Sequence, residues 1–169
     1  MRNWAKIAVL CVILAIVCHS CGIYSFSGAS IPAEAKTVSV AYFPNHAQLV
    51  NPMLSNDFST ALRDAMMNQT PLDMVDSGGD LAFEGEITDY KTTPVAITAA
   101  QTAAMNRLTI TVKVRFSNRF DETKDFEQSF SHYEDYPSDQ DLNAVQESLT
   151  ATIIEALVED IFNKALVNW

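Results

Sequence analysis

The chain has 169 residues, 48% of them hydrophobic, with 21 acidic against 11 basic side chains and a net charge of −10. That length suits one domain with short appendages. Its acidity argues against nucleic acid as a partner and against general adhesion to anionic lipid.

The first residues are MRNWAK, where Arg2 and Lys6 supply positive charge, followed by IAVLCVILAIV, an uninterrupted apolar run from Ile7 to Val17. This is the charged-then-apolar order of an export signal. The run is short for a permanent span, which needs about 20 apolar residues. All three cysteines, Cys11, Cys18 and Cys21, fall within or just behind it. Ser20-Cys21 has the order, small residue then cysteine, at which bacterial lipoprotein signals are cleaved and acylated. His19 and Cys18 depart from the residues usual at the two preceding positions. Cys18 is a second acylation candidate, although Val17 before it is large for that site. The alternative is a C-x-x-C redox or metal pair, but the chain has no second pair and a metal site needs about four ligands.

The expectation is a lipoprotein signal peptide over 1–20, with Cys21 kept as the lipid attachment point. Removing those 20 of 169 residues leaves 9 basic against 21 acidic side chains. A single acyl chain binds a membrane only marginally, so anchoring at Cys21 needs more than one. Gly22 follows the cysteine and the first acid is Glu34. The expected address is therefore the outer membrane, facing the periplasm.

Residues 21–35, rich in Ser, Gly and Ala, read as the lipidated cysteine and a flexible tether, and 36–169 as a single α+β domain. Val38, Val40 and Tyr42 alternate with Thr37, Ser39 and Ala41, which predicts a strand over 36–43, ended by Pro44. Asn51-Pro52 predicts a helix start with Asn51 as cap. Leu54, Phe58, Ala61, Leu62, Ala65 and Met66 then share one helical face, until Thr70-Pro71. A short strand over 72–75 leads into DSGGD, where Gly78 and Gly79 permit positive φ.

In LAFEGEITDY, Leu81, Phe83, Gly85 and Ile87 share a face. The cleanest pattern is NRLTITVKVRFSN, with Leu108, Ile110, Val112, Val114 and Phe116 inward and Thr109, Thr111, Lys113, Arg115 and Ser117 outward. Between these two segments, TTPVAITAAQTAAMN (92–106) is long and apolar for a hairpin connection. It is either an extension of both strands or a contact surface. After the turn DETK, a strand with Phe126 and Phe130 in phase leads to SDQD, where Ser138 with Asp141 suits the start of a last helix. That helix carries Leu142, Val145, Leu149, Ile153, Leu157 and Ile161 and would be about 40 Å long. The expected fold is α+β: two helices on one face of a small, mostly antiparallel sheet of four to five strands, in strand-helix-strands-helix order.

Nucleophilic catalysis needs a positioned Ser or Cys with a His and an orienting group. Neither His46, in a Pro-Asn-His turn, nor His132 has that context, and G-x-S-x-G does not occur. HYEDY gathers His132, Glu134 and Asp135, but the spacing matches no recognised metal-ligand set, and SGGD lacks the Lys of a phosphate loop. The chain is expected to be no enzyme and to need no cofactor or metal.

One charged pattern stands out: Arg107, Lys113, Arg115 and Arg119 occupy odd positions around one strand and so fall in one outward row if the strand is regular. The row is either an anion-contacting stripe or is neutralised across strands by Glu84, Glu86 and Glu127.

The order CGIYSFSGASIP, AYFPN, FEGEITDYKTTPVAI, AAMNRLTITVKVRFSN, FSHYEDY and a C-terminal helix resembles the LptE family of lipopolysaccharide-assembly lipoproteins. The resemblance is nearest the branch with TPVAI and NRLTITV-type segments and covers nearly all of the chain after Cys21. It implies two helices against a small sheet and no enzymatic activity. It further implies a lipoprotein held in the outer membrane by its acyl chains, which plugs and helps assemble the LptD β-barrel and contacts lipopolysaccharide. Basic side chains on the sheet, here Lys113 and Arg115 with Arg107 and Arg119 beside them, are the implied contacts. The competing classes are a free-standing periplasm-facing binding lipoprotein of the cell envelope and a tethered hydrolase.

Overall fold

A computed structural model describes residues 31–49, 51–95 and 104–167. The expected signal peptide, Cys21, most of the tether and the middle of the apolar excursion, 96–103, lie outside the described residues. The elements in chain order are β1 (Thr37–Val40), α1 (Leu54–Gln69), β2 (Asp73–Val75), β3 (Leu81–Val95), β4 (Met105–Asn118), a 3₁₀ turn (Glu122–Lys124), β5 (Phe126–Pro137) and α2 (Leu142–Leu166). They form the expected α+β arrangement, with a five-stranded sheet ordered β2-β1-β3-β4-β5.

The sheet is mixed. β1 pairs in parallel with β2 and β3, over three residue pairs each. The antiparallel ladders β3–β4 and β4–β5 are far longer, running from Leu81↔Asn118 to Val95↔Met105 and from Phe116↔Phe126 to Met105↔Pro137. Parallel neighbours require a crossover, and α1 provides the one from β1 to β2. α1 packs over β1 and β2, α2 over β4 and β5, and the helices touch each other.

The core lies between helices and sheet. Leu108, Ile110, Val112 and Val114 are fully buried and Phe116 is 1% exposed, as the alternation in β4 predicts. Phe58, Leu62 and Met66 of α1 and Leu157 and Ile161 of α2 meet them without exposure. Ile31 and Ala35, at the end of the expected tether, also pack on this core.

The structure corrects three local expectations. The first strand stops at Val40, and the predicted phase reverses: Tyr42 is 58% exposed while Phe43 is fully buried. The chain still tracks β3, through Ala41 N–H to Phe83 O and Ile87 N–H to Pro44 O, both 2.9 Å. It spans three residues where β3 spans four, and so it leaves the pleat.

α1 begins at Leu54, not at an Asn51 cap. The Asn51 side chain instead accepts from Met53 N–H at 3.1 Å and closes the turn before the helix. α2 is likewise capped by Asp141, whose carboxylate accepts from Asn143 N–H at 2.9 Å. Ser138 is tied by its N–H to Ala104 O, 3.1 Å away, at the end of the hairpin. Both strands flanking the excursion run into it, to Val95 and from Met105.

The five residues between β2 and β3 cross over β1. Gly78 takes the expected positive φ of 69°, whereas Gly79 serves close approach: a Cβ there would lie 2.5 Å from Ser39 N and 2.8 Å from Val38 C. Gly79 N–H donates to Ser39 Oγ at 3.1 Å. Asp80 Oδ2 accepts from the N–H groups of Lys36 and Thr37 at 3.0 and 3.2 Å, which holds its carboxyl below the usual carboxylate range. Backbone lies on backbone here, so Gly79→Ala should lift the crossing from β1 and cost about 2–3 kcal/mol, at the high end for overpacking. A urea titration beside Gly78→Ala, whose Cβ meets nothing within 4 Å and which carries only the positive-φ penalty, checks this: the Gly79 variant should be the worse of the two.

Candidate functional site: the charged outer face of the sheet

The face of the sheet turned away from the helices is built by strand parity. With the inward positions of β4 filled by apolar residues, Arg107, Lys113 and Arg115 fall together on the outer side. Their side chains are 34%, 45% and 59% exposed. Arg119 lies one residue past the strand, and its N–H bonds Asp80 O at 3.0 Å. The stripe is therefore three residues on β4 with Arg119 at the turn beyond. About 20 Å of strand separates Arg107 from Lys113.

Each of the four cations has a carboxylate partner. Arg107 makes a bidentate pair with Asp135, at 2.7 and 2.9 Å, and its guanidinium carbon lies 3.6 Å from the centre of the Tyr133 ring. Lys113 pairs with Glu127 on β5, and Arg115 with Glu84 on β3. Arg119 reaches Asp80 at 3.8 Å.

These pairs hold the charges in place. Hydrogen bonds donated to the partner carboxylates raise the pKa of Arg107, Lys113 and Arg115 above their ordinary values. Glu127 is correspondingly lowered by Lys113, and Asp135 by Arg107. Between these groups, a shallow depression of about 320 Å³ is lined by Pro44, Glu84, Gly85, Glu86, Lys113, Arg115 and Glu127.

Glu84 and Glu127 act as the cross-strand partners expected of them. Glu86 lies opposite Lys113 in the β3–β4 ladder and adds to the rise in its pKa, while its carboxylate also lies 3.6 Å from His46 Nε2. Asp135 is a further cross-strand partner, and the register alone predicts it: counting back from the turn, with Phe116 opposite Phe126, places Asp135 opposite Arg107.

His132 points to the helix side of β5 and bonds Asp160 of α2 at 2.7 Å, while Asp135 points outward to Arg107. The HYEDY residues are thus divided between two faces. Among the described residues no group of three His, Cys, Asp or Glu side chains could hold a metal ion.

A family model described as LptE, lipopolysaccharide-assembly, matches residues 35–165. Among solved structures, the chain is similar to a minor lipoprotein of Acinetobacter baumannii, with 15% identity, coverage of 79% of this chain and 97% of that one, and a TM-score of 0.50. It is also similar to an uncharacterized lipoprotein B of Nitrosomonas europaea, with 14% identity, 81% and 84% coverage and a TM-score of 0.50. A hypothetical protein of Chlamydia trachomatis shares 9% identity over 78% and 98% of the chains, with a TM-score of 0.53. At these identities the likeness is one of fold. A search among curated proteins finds no match.

Proposed function

This chain belongs to the LptE lipopolysaccharide-assembly family, and from that premise we propose that it is the lipid-anchored, non-catalytic partner of an LptD-type outer-membrane β-barrel. In this reading it occupies the barrel lumen, helps the barrel assemble and assists lipopolysaccharide into the outer membrane. The observation that carries the proposal is the family match, which spans nearly the whole packed domain.

One physical feature supports it: the outer face of the sheet is covered by paired charges, which suits the polar interior of an outer-membrane barrel. Attachment through acyl chains on Cys21 would keep the domain at the periplasmic side of the outer membrane.

Detergent extraction of membranes carrying the tagged chain, followed by mass spectrometry, is expected to recover a stoichiometric barrel protein of several hundred residues. Recovery of a monomer with affinity for envelope glycan would replace this proposal with the free-standing binding lipoprotein.

The anion-contacting role belongs to Lys113 and Arg115, with Arg107 and Arg119 at the ends of the row. Because Glu127 and Glu84 already occupy the two central cations, the contact can be tested in both directions. Lys113→Glu with Arg115→Glu should lower lipopolysaccharide affinity, although like charges facing Glu127 and Glu84 will also lower the melting temperature. Glu84→Gln with Glu127→Gln should free the two cations and raise affinity, and salt should weaken binding in both the wild type and this variant. Affinity unchanged by the Gln pair would leave Lys113 and Arg115 as structural ion pairs only.

A further inference from the structure

The helix layer has a surface of opposite character. A groove of about 1110 Å³ runs between α1 and α2. Its apolar side is formed by Ala61, Ala65, Ile154, Val158 and Phe162, with Thr150 among them. Its charged residues are Asp57, Asp64, Glu147, Glu155 and Glu159, with no Lys, Arg or His. None of these five carboxylates has a salt bridge among the described residues. The basic residues of the two helices point elsewhere. Arg63 donates to Val40 O at 3.2 and 3.1 Å, and Lys164 lies over the Phe126 ring. The Thr150 hydroxyl is buried and lacks a hydrogen-bond partner among the described residues.

We propose that this groove is the docking site for a cationic amphipathic segment of a partner protein, an interaction separate from the anion contact on the sheet. Charge selects the occupant. Lipopolysaccharide and anionic lipid would meet five uncompensated carboxylates. A second copy of the chain would bring the same acidic helix face, and its β4 cations are already paired.

A polypeptide with an apolar ridge flanked by Lys or Arg satisfies both parts of the groove. The stretch of α2 from Gln146 to Asn163 is about 26 Å long, which matches a partner helix of about 17 residues docked through an i, i+3, i+4, i+7 ridge.

The test uses the full lipidated chain in phosphatidylcholine nanodiscs, with empty nanodiscs as the blank. The probe is a fluorescent 17-residue Leu/Lys peptide with a helical apolar stripe, read by anisotropy. Glu147, Ala151 and Glu155 line one side of the groove and are all exposed, so changes there spare the core. Glu147→Lys with Glu155→Lys should weaken binding on the order of tenfold, and Ala151→Arg should block it. Glu122→Lys with Asp139→Lys, the same charge change outside the groove, should leave it near wild type. A Leu/Glu peptide and a scrambled Leu/Lys peptide should both bind poorly.

Equal weakening by the two charge reversals would overturn the proposal in favour of nonspecific attraction. So would equal binding of the scrambled peptide, or a concentration-dependent dimer abolished by Ala151→Arg. Failure to recover a barrel from cells leaves these outcomes unaffected, so this proposal and the plug reading can fail separately.

Discussion

Gly85→Ala is expected to destabilise the chain severely, by about 3 kcal/mol or more, the upper end for overpacking. Gly85 lies opposite Val114 in the β3–β4 ladder. A Cβ at this position would lie 2.0 Å from Lys113 O and 2.6 Å from Phe43 Cε1. The ring could move only by leaving a site fixed on two sides. Phe43 N–H donates to Ser59 Oγ at 3.0 Å, and the ring meets Phe58 edge-on at 5.1 Å. The carbonyl is held in the central sheet and cannot move without opening the ladder. Denaturant unfolding of Gly85→Ala with and without Phe43→Leu separates the two obstacles. The expected result is little rescue by the smaller ring site, because the carbonyl is the nearer contact. Full rescue would assign the glycine to the ring alone.

The same residue shows where sequence reading reaches its end. In β4 each residue's environment follows from its own parity, and all five inward positions are buried as the alternation implies. Phe43 is different. Its inward turn depends on the space left by Gly85, more than 40 positions away, and no local alternation records that.

β3 raises the same difficulty. Between Ile87 and Asp89 the register shifts, so the buried set moves from Leu81, Phe83 and Ile87 to Tyr90. A bulge of this kind adds one residue to one strand, and here it is visible only once β4 lies alongside. The row on the outer face was legible because it is a parity argument on one strand, whereas assigning Arg107 to Asp135 required the register of a second. The groove was illegible for another reason. Its acids are spread over two helices distant in sequence, and only packing on a common sheet makes them neighbours.

Val112→Asp should destabilise the chain by several kcal/mol, while Thr111→Asp, one residue away, should stay within about 1 kcal/mol. Val112 has no exposure and pairs with Ile87 on β3 and Phe130 on β5, so no water reaches its side chain. Thr111 is half-buried on the opposite face, where its hydroxyl lies 3.0 Å from Ser131 Oγ, and Lys113 is the next outward residue on the strand. A carboxylate there keeps its hydration, and the like charge of Asp89 directly across the ladder, itself paired with Lys91, adds only a modest cost.

The pH dependence adds a second signature. Burial raises the pKa of a carboxyl introduced at 112 above its unfolded value, so at neutral pH folding must either bury a charge or take up a proton. The deficit relative to wild type should therefore shrink as pH falls toward about 4, where the unfolded chain is protonated as well. Thermal or urea unfolding of both variants at pH 7 and pH 5 is the measurement. A deficit that stays constant between those two values would mean that the carboxyl at 112 reaches water, and would displace β4 from the centre of the core.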